Sequence, residues 1–173
     1  MSQKIVIRHR EPKDLDDLYE LQKGERYVWG TLQNPYTSID VVRKRIETPV
    51  EGLTVLVAEL DGKVVGQLGL MVLSRPRRKH VGTIGMGVHD NYAGRGAGTA
   101  LMAACVDLAD NWLNLTRLEL EVFTDNHAAI SLYKKFNFVE EGVMRAHAFR
   151  AGEYVDTLSM ARFRPGFLKG LNG

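Results

Sequence analysis

The feature that most constrains this chain lies between residues 81 and 104. There an apolar run, Val81 to Val88, passes through a turn with glycine at 94, 96 and 98 into an Ala-rich stretch, Ala97-Gly98-Thr99-Ala100-Leu101-Met102-Ala103-Ala104. A strand that turns over glycine straight into a helix demands a layered α/β arrangement. The helix's first turn then carries N–H groups with no partner inside the helix. Glycine lets main chain approach a ligand without a Cβ in the way, and the positive end of the helix dipole favours a phosphorylated group. Sterics alone can also make such a turn Gly-rich. Two common phosphate motifs do not fit: a P-loop needs lysine where Gly98 precedes Thr99, and a dinucleotide fingerprint begun at Gly94 needs glycine where Thr99 sits.

Ala93-Gly94-Arg95-Gly96-Ala97-Gly98 resembles the Gln/Arg-x-x-Gly-x-Gly/Ala cofactor motif of the GNAT N-acetyltransferases. Ala93 departs from it, standing where the family usually has Gln or Arg, and Arg95 offers charge nearby. A second resemblance follows in Leu120 to Phe138, which is similar to the family's strand, Asn-started helix and closing Tyr-x-x-x-Gly-Phe, with Asn137 in place of the glycine. Asn tolerates the left-handed cap that position requires.

The rest of the chain is compatible with that family. Its 173 residues, 45% of them hydrophobic, suffice for one core, and a net charge of +2 gives no reason to expect a nucleic-acid surface. One cysteine excludes an intramolecular disulfide, and no apolar run reaches membrane-spanning length. The N-terminus opens on a strand pattern, Lys4 to His9, instead of a signal peptide, so a cytoplasmic protein is expected.

Apolar spacing predicts a helix after Pro12 with Leu15, Leu18, Tyr19 and Gln22 on one face, a loop or broken helix from Tyr27 to Pro35, and a helix capped by Ser38 through Glu47. Leu53–Leu60 and Lys63–Leu73 form a hairpin over Asp61-Gly62. Strand Val81–Val88 follows, then a helix from about Gly96 to Leu113 burying Ala100, Leu101, Ala104, Cys105, Leu108 and Trp112. Next come strand Arg117–Phe123, helix Asn126–Phe136, and strands Val139–Phe149 and Glu153–Phe163. The resemblance implies a GNAT fold: a mixed, mostly antiparallel sheet of six to seven strands, with splayed parallel strands 4 and 5 and about four helices. It would span residues 1–163, with 164–173 as an extension whose Phe167, Leu168 and Leu171 either pack on a partner or fray.

By the same resemblance the cofactor is acetyl-CoA. Main-chain groups of Met86, Gly87 and Val88 would bond the pantetheine arm. The N–H groups of Gly94, Arg95, Gly96, Ala97, Gly98 and Thr99 would take the pyrophosphate, and Asn126, Ala129 and Tyr133 would line the cofactor from the next helix. Asn126 and Tyr133 lie seven residues apart, hence on one helix face; Asn126 also suits a plain N-cap and Tyr133 a plain core aromatic. Direct transfer to an amine needs a base, donors for negative charge on the thioester oxygen, and an acid for the departing thiolate. A main-chain N–H near Met86 suits the second role and Tyr133 the third. Glu119 and Glu121 alternate on one strand face as candidate bases, with water as the alternative, because an α-amine of reference pKa about 8 needs little help.

Thr31-Leu32-Gln33, Arg75-Pro76-Arg77-Arg78, Asp110 to Leu113 and Gly152 to Asp156 resemble the L-amino-acid N-acetyltransferase branch of the family. That implies a small-molecule amine acceptor, with Trp29, Leu32, Gln33 and Tyr36 around its side chain and Arg75 and Arg77 toward its carboxylate. A solvated or cofactor-steering basic loop explains the arginines equally. Ribosomal-protein-type N-terminal and polyamine acetyltransferases, a noncatalytic acyl-CoA sensor, and a phosphate-binding turn without catalysis stay open. The family is often dimeric, and no metal site is expected.

Overall fold

A computed structural model describes residues 4–170. Its strands are β1 (Ile5–His9), β2 (Leu53–Leu60), β3 (Lys63–Val72), β4 (Val81–Val88), β5 (Arg117–Phe123), β6 (Val139–Arg150) and β7 (Glu153–Phe163). Its helices are α1 (Leu15–Gln22), α2 (Glu25–Gly30), α3 (Ile39–Glu47), α4 (Ala97–Asp107) and α5 (His127–Lys135). The strands form one seven-stranded sheet in the order β1-β2-β3-β4-β5-β7-β6, mixed but mostly antiparallel. Asp61 and Gly62 both take positive φ, the two-residue turn whose twist matches the β2–β3 hairpin.

The one parallel pair, β4 with β5, positions the site. It is paired only over Val81–Arg117, Gly82–Leu118 and Thr83–Glu119. Beyond Thr83 the strands part, and from Ile84 to Val88 no other backbone among the described residues pairs with that edge of β4.

Alternation along β3 assigns the two faces. Leu68 and Leu70 point toward α4 and join the larger core with Leu101, Met102 and Leu118. Gln67 and Gly69 point to the opposite face, where Leu18 of α1, Val42 of α3, Val57 and Val64 form a second core. Leu101 is fully buried, and truncating such a side chain to alanine costs about 2–5 kcal/mol. Helix α5 ends in a Schellman motif: Asn137 takes φ 64°, its N–H donates to Lys134 O at 3.1 Å, and the Phe138 N–H donates to Tyr133 O at 3.1 Å.

Three expectations are corrected. Helix α2 begins at Glu25, two residues before the stretch from Tyr27 to Pro35 expected to be loop or broken helix, and breaks off at Gly30, its first turn capped by a carboxylate distant in sequence. Trp112 is not buried: α4 runs into a π-turn, Leu108–Trp112, closed by Leu113 N–H to Leu108 O at 3.0 Å. The wider turn shifts the buried face onto Ala109 and leaves Trp112 76% exposed. Ala100 and Ala104 are half-buried, and Met102 sits in the core instead. After β7, Arg164 is tied back by its N–H to Thr116 O and its Nη1 to Asn114 Oδ1, and a short turn spans Leu168–Gly170. Leu171 lies outside the described residues.

Candidate active site

A cleft of about 1110 Å³ runs through the gap between β4 and β5 and opens on both faces of the sheet. At one mouth lies the glycine turn. Gly94 and Gly96 have φ of 77° and 91°, a left-handed conformation that Cβ-bearing residues disfavour, and Gly96 is the N-cap of α4. The N–H groups of Ala97, Gly98 and Thr99 make no hydrogen bond within the described chain; the first intrahelical bond runs from Ala100 to Gly96 O, 2.9 Å. Any Cβ at position 98 would lie 3.1 Å from Leu132 and 3.4 Å from Met86, so glycine there lets α4 close onto α5 and β4. Unpartnered amides at a helix start, beside a strand edge with unpaired main chain, fit a diphosphate followed by an amide-bearing arm.

Beside the gap, Tyr133 is buried against Phe138, ring centroids 5.9 Å apart, and its hydroxyl makes no hydrogen bond within the described chain. Burial pushes its phenol up to about 12, which keeps it protonated at physiological pH. Asn126 caps α5, its Oδ1 accepting from Ala129 N–H at 3.2 Å, while also lining the cleft. Glu119 and Glu121 both border the gap but differ in availability. Glu119 accepts from Arg78 Nη2 at 2.8 Å and from Arg117 Nε at 2.6 Å, so two guanidiniums hold it. Glu121 faces only His147, whose Nδ1 is 3.7 Å away and 2.9 Å from Thr157 Oγ1. That histidine is brought round by a bulge in β6, fixed by Asp156, which accepts from Ala146 N–H at 2.8 Å and Arg145 Nε at 2.9 Å.

On the other face α2 roofs the cleft. Tyr27 lies over Gly87, where any Cβ would overlap the ring, and its hydroxyl accepts from Gln67 Nε2 at 2.9 Å. Asp90, just beyond β4, accepts from the N–H groups of Arg26 at 2.9 Å and Tyr27 at 3.2 Å, capping α2 from across the molecule. Beyond this roof opens a basin whose floor is Gly69 and Gly85, with Arg10, Gln22, Gln33, Arg45, Leu32 and Val55 around it.

Of the residues singled out from the sequence, Met86, Gly87, Val88, Gly94, Gly96, Ala97, Gly98, Thr99, Asn126, Ala129, Tyr133, Glu119, Glu121, Leu32 and Gln33 all border this one cleft. Arg95, Trp29, Tyr36, Arg75 and Arg77 do not. Arg95 is exposed and packs over the Tyr92 ring at 5.1 Å. Trp29 stacks on Arg150 at 4.0 Å, and Arg150 Nη1 donates to Trp29 O at 3.2 Å and to Asp125 at 3.2 Å. The Trp29 ring therefore covers an ion pair instead of an apolar pocket. Tyr36 is fully exposed in a left-handed conformation. Arg75 and Arg77 are exposed on the β3–β4 loop, with only Arg78 reaching the cleft wall through Glu119. Sequence reasoning missed Arg10, Gln22, Tyr27, Arg45, Gln67 and Asp90, which come from six separate elements and share no spacing. The capping role of Asp90 has no signal in the chain at all.

Residues 15–138 match the model of the acetyltransferase (GNAT) family. The chain is 42% identical to the L-amino acid N-acetyltransferase AaaT of Escherichia coli K12, over 92% of this chain and 98% of that one. It is 26% identical to the spermidine N(1)-acetyltransferase of the same strain, over 95% and 88%. Among solved structures, the Vibrio cholerae spermidine N-acetyltransferase in complex with CoA and spermine superposes with a TM-score of 0.80, covering 95% of this chain and 98% of that one at 24% identity, a likeness of fold. A splayed parallel strand pair, a glycine-capped helix beside it and a family match across most of the sequence agree: the chain belongs to the GNAT family of acetyltransferases.

Proposed function

We propose that this protein is an acetyl-CoA-dependent N-acetyltransferase acting on the α-amine of free L-amino acids. The observation that carries the acceptor class is the 42% identity to an L-amino acid N-acetyltransferase along nearly the whole chain. Acetyl-CoA supplies the acetyl group as a reactive thioester. The amides of Ala97, Gly98 and Thr99 hold its diphosphate, and the unpaired edge of β4 at Met86 to Val88 holds the pantetheine amides as a missing strand would. Asn126 and Ala129 border the same passage from α5.

Each chemical demand then falls to a group already at the gap. A main-chain N–H near Met86 stabilises negative charge on the thioester oxygen. The protonated Tyr133 hydroxyl gives its proton to the departing sulfur. Glu121, directly or through water, takes the proton from the attacking amine; Glu119 is occupied by Arg78 and Arg117. Leu32 and Gln33 lie on the acceptor side.

The test is coenzyme A thiol release with L-methionine, L-phenylalanine, spermidine and an N-terminal peptide as acceptors. Amino acids are expected to be the productive ones. Turnover of spermidine or peptide with amino acids inert refutes the assignment.

A further inference from the structure

The basin beyond α2 contains an imbalance of charge that the chain itself does not resolve. Arg10 and Arg45 both line it, and among the described residues neither forms an ion pair with a carboxylate. Asp14, the acid whose charge acts on Arg10, is held by Arg8 at 2.7 and 2.9 Å and by the Glu11 N–H at 2.8 Å. The acids on the cleft wall are spent or distant: Asp90 caps α2, Glu119 is ion-paired, and Glu121 lies beyond the gap.

The two guanidiniums are nonetheless oriented. Arg45 Nη1 donates to Gln33 Oε1 at 2.7 Å and Gln22 Oε1 at 3.5 Å, neutral acceptors that fix it without cancelling its charge. Arg10 Nη2 donates to Arg45 O at 2.8 Å, with no other side-chain hydrogen bond from that guanidinium in the described chain. Burial lowers the Arg10 pKa, with the charge of Asp14 opposing it, as expected where counter-charge is short. A guanidinium at the cleft with no counter-ion is open to a charge-assisted contact with an anion.

The position suits an amino acid. The Arg10 N–H donates to Val55 O, Val55 is opposite Gly69, and Gly69 is opposite Gly85, on the open stretch of β4. Three strand spacings, roughly 14 Å, therefore separate the Arg10 backbone from the thioester passage. An arginine side chain and its charge-assisted contact cover much of that span. The floor between is open: a Cβ at Gly85 would meet nothing within 4 Å. Leu32, Leu53 and Val55 offer an apolar wall alongside.

We propose that Arg10 and Arg45 together hold the carboxylate of the acceptor, above the glycine floor at Gly69 and Gly85, and so make the site select free amino acids over polyamines. The assignment rests on the acetyltransferase reading given above. It replaces the β3–β4 loop arginines as the carboxylate contact.

The test compares L-phenylalanine with L-phenylalaninamide at saturating acetyl-CoA and pH 9, with each KM expressed per neutral amine, because the acid's own carboxylate raises its α-amine pKa above the amide's. Wild-type protein is expected to favour the acid by about 10- to 100-fold in kcat/KM, the range of a lost charge-assisted contact. Arg10→Gln and Arg45→Gln are expected to raise KM for the acid by a similar factor, with kcat within about threefold and a much smaller rise in KM for the amide, so that the preference for the acid collapses; lysine at either position restores part of the loss. Coenzyme A affinity, measured by calorimetry, should be unaltered and reports that each variant is folded. Equal turnover of acid and amide by wild type, or variants with unchanged KM for the acid, overturns the inference while amino acids remain substrates. If no amino acid is acetylated and polyamines are, the broader assignment fails first and takes this one with it.

Discussion

Replacing Asp90 with alanine should loosen α2 while leaving the sheet intact. The helix is six residues long, far below the length at which an isolated helix holds in water. Its N-cap is Gly24, which has no side chain to offer; a Cβ there would lie 2.6 Å from Asp90 Oδ1. The cap is therefore the Asp90 carboxylate, supplied from 64 residues away, on the N–H groups of Arg26 and Tyr27. Deleting an N-cap costs about 0.5–2 kcal/mol. Other fastenings remain, Tyr27 packed over Gly87 and bonded to Gln67, and Arg150 stacked on Trp29 and bonded to its carbonyl, so the loss should stay local. A cost of about 1–2 kcal/mol raises the opening equilibrium of α2 roughly 5- to 30-fold. Hydrogen exchange read by mass spectrometry should show that acceleration in a peptide covering 24–31 and none in one from α4. Asp90→Asn keeps one acceptor oxygen and should show a smaller effect. Because Thr31, Leu32 and Gln33 follow α2 into the basin, KM for the acceptor should rise in the same order, Ala above Asn. Unchanged exchange across 25–30 in Asp90→Ala would show that something other than this carboxylate holds the helix.

Tyr133→Phe removes a hydroxyl with no partner in the described chain, so stability should change by less than about 1 kcal/mol while kcat falls by about 10²- to 10⁴-fold. With the phenol pushed up to about 12, the donor stays protonated and kcat should show no alkaline decline below pH 10; a decline near pH 8–9 assigns the proton elsewhere. Gly96→Ala places a Cβ at φ 91°, costing about 1–2 kcal/mol in a urea melt, and should weaken coenzyme A binding by calorimetry. Gly152→Ala, at φ 88° in the β6–β7 turn, is the control: similar strain with coenzyme A affinity unchanged, and matching losses of affinity in both would argue against the cradle. Burial pushes the Asp14 carboxyl up but the Arg8 guanidinium outweighs it, leaving the pKa below the usual carboxylate value. Its stabilising share is thus complete above about pH 4 and is lost as pH falls through the lower folded-state value. Urea midpoints should drop below pH 4 in the wild type and drop less steeply in Asp14→Asn.

The fold and the clustering of the glycine turn, β4 and α5 residues around one cleft were legible because their signals are local. Asp61-Gly62 names its own turn, the alternation of β2 and β3 names their faces, and the residues from Met86 to Thr99 are nearly contiguous. Asn126 and Tyr133 share a face through helical periodicity alone. Where the reading went astray, a tertiary term had overridden a local one. The π-turn at Leu108–Trp112 rotated Trp112 outward against a clean helical pattern, and α2 formed in an unpromising segment because Asp90 completes it.

The acceptor side fails locality in a more instructive way. Arg75, Arg77 and Arg78 attract notice as an anion site because they are neighbours in sequence, yet proximity in the chain says nothing about which charges are already neutralised. In the folded protein Arg78 is bound to Glu119, and Arg75 and Arg77 stand in solvent, where an ion pair contributes little. Arg10, half-buried just past a strand end, and Arg45, exposed on a helix flank, are unremarkable in sequence yet both line the cleft. The carboxylate whose charge acts on Arg10, Asp14, is already ion-paired with Arg8. What makes a guanidinium available to a ligand is a place at the cleft together with the absence of a competing acid, and both are properties of the packing. The same logic separates Glu121 from Glu119: two residues apart on one face of β5, they differ in partners because Arg78 and Arg117 reach only one of them.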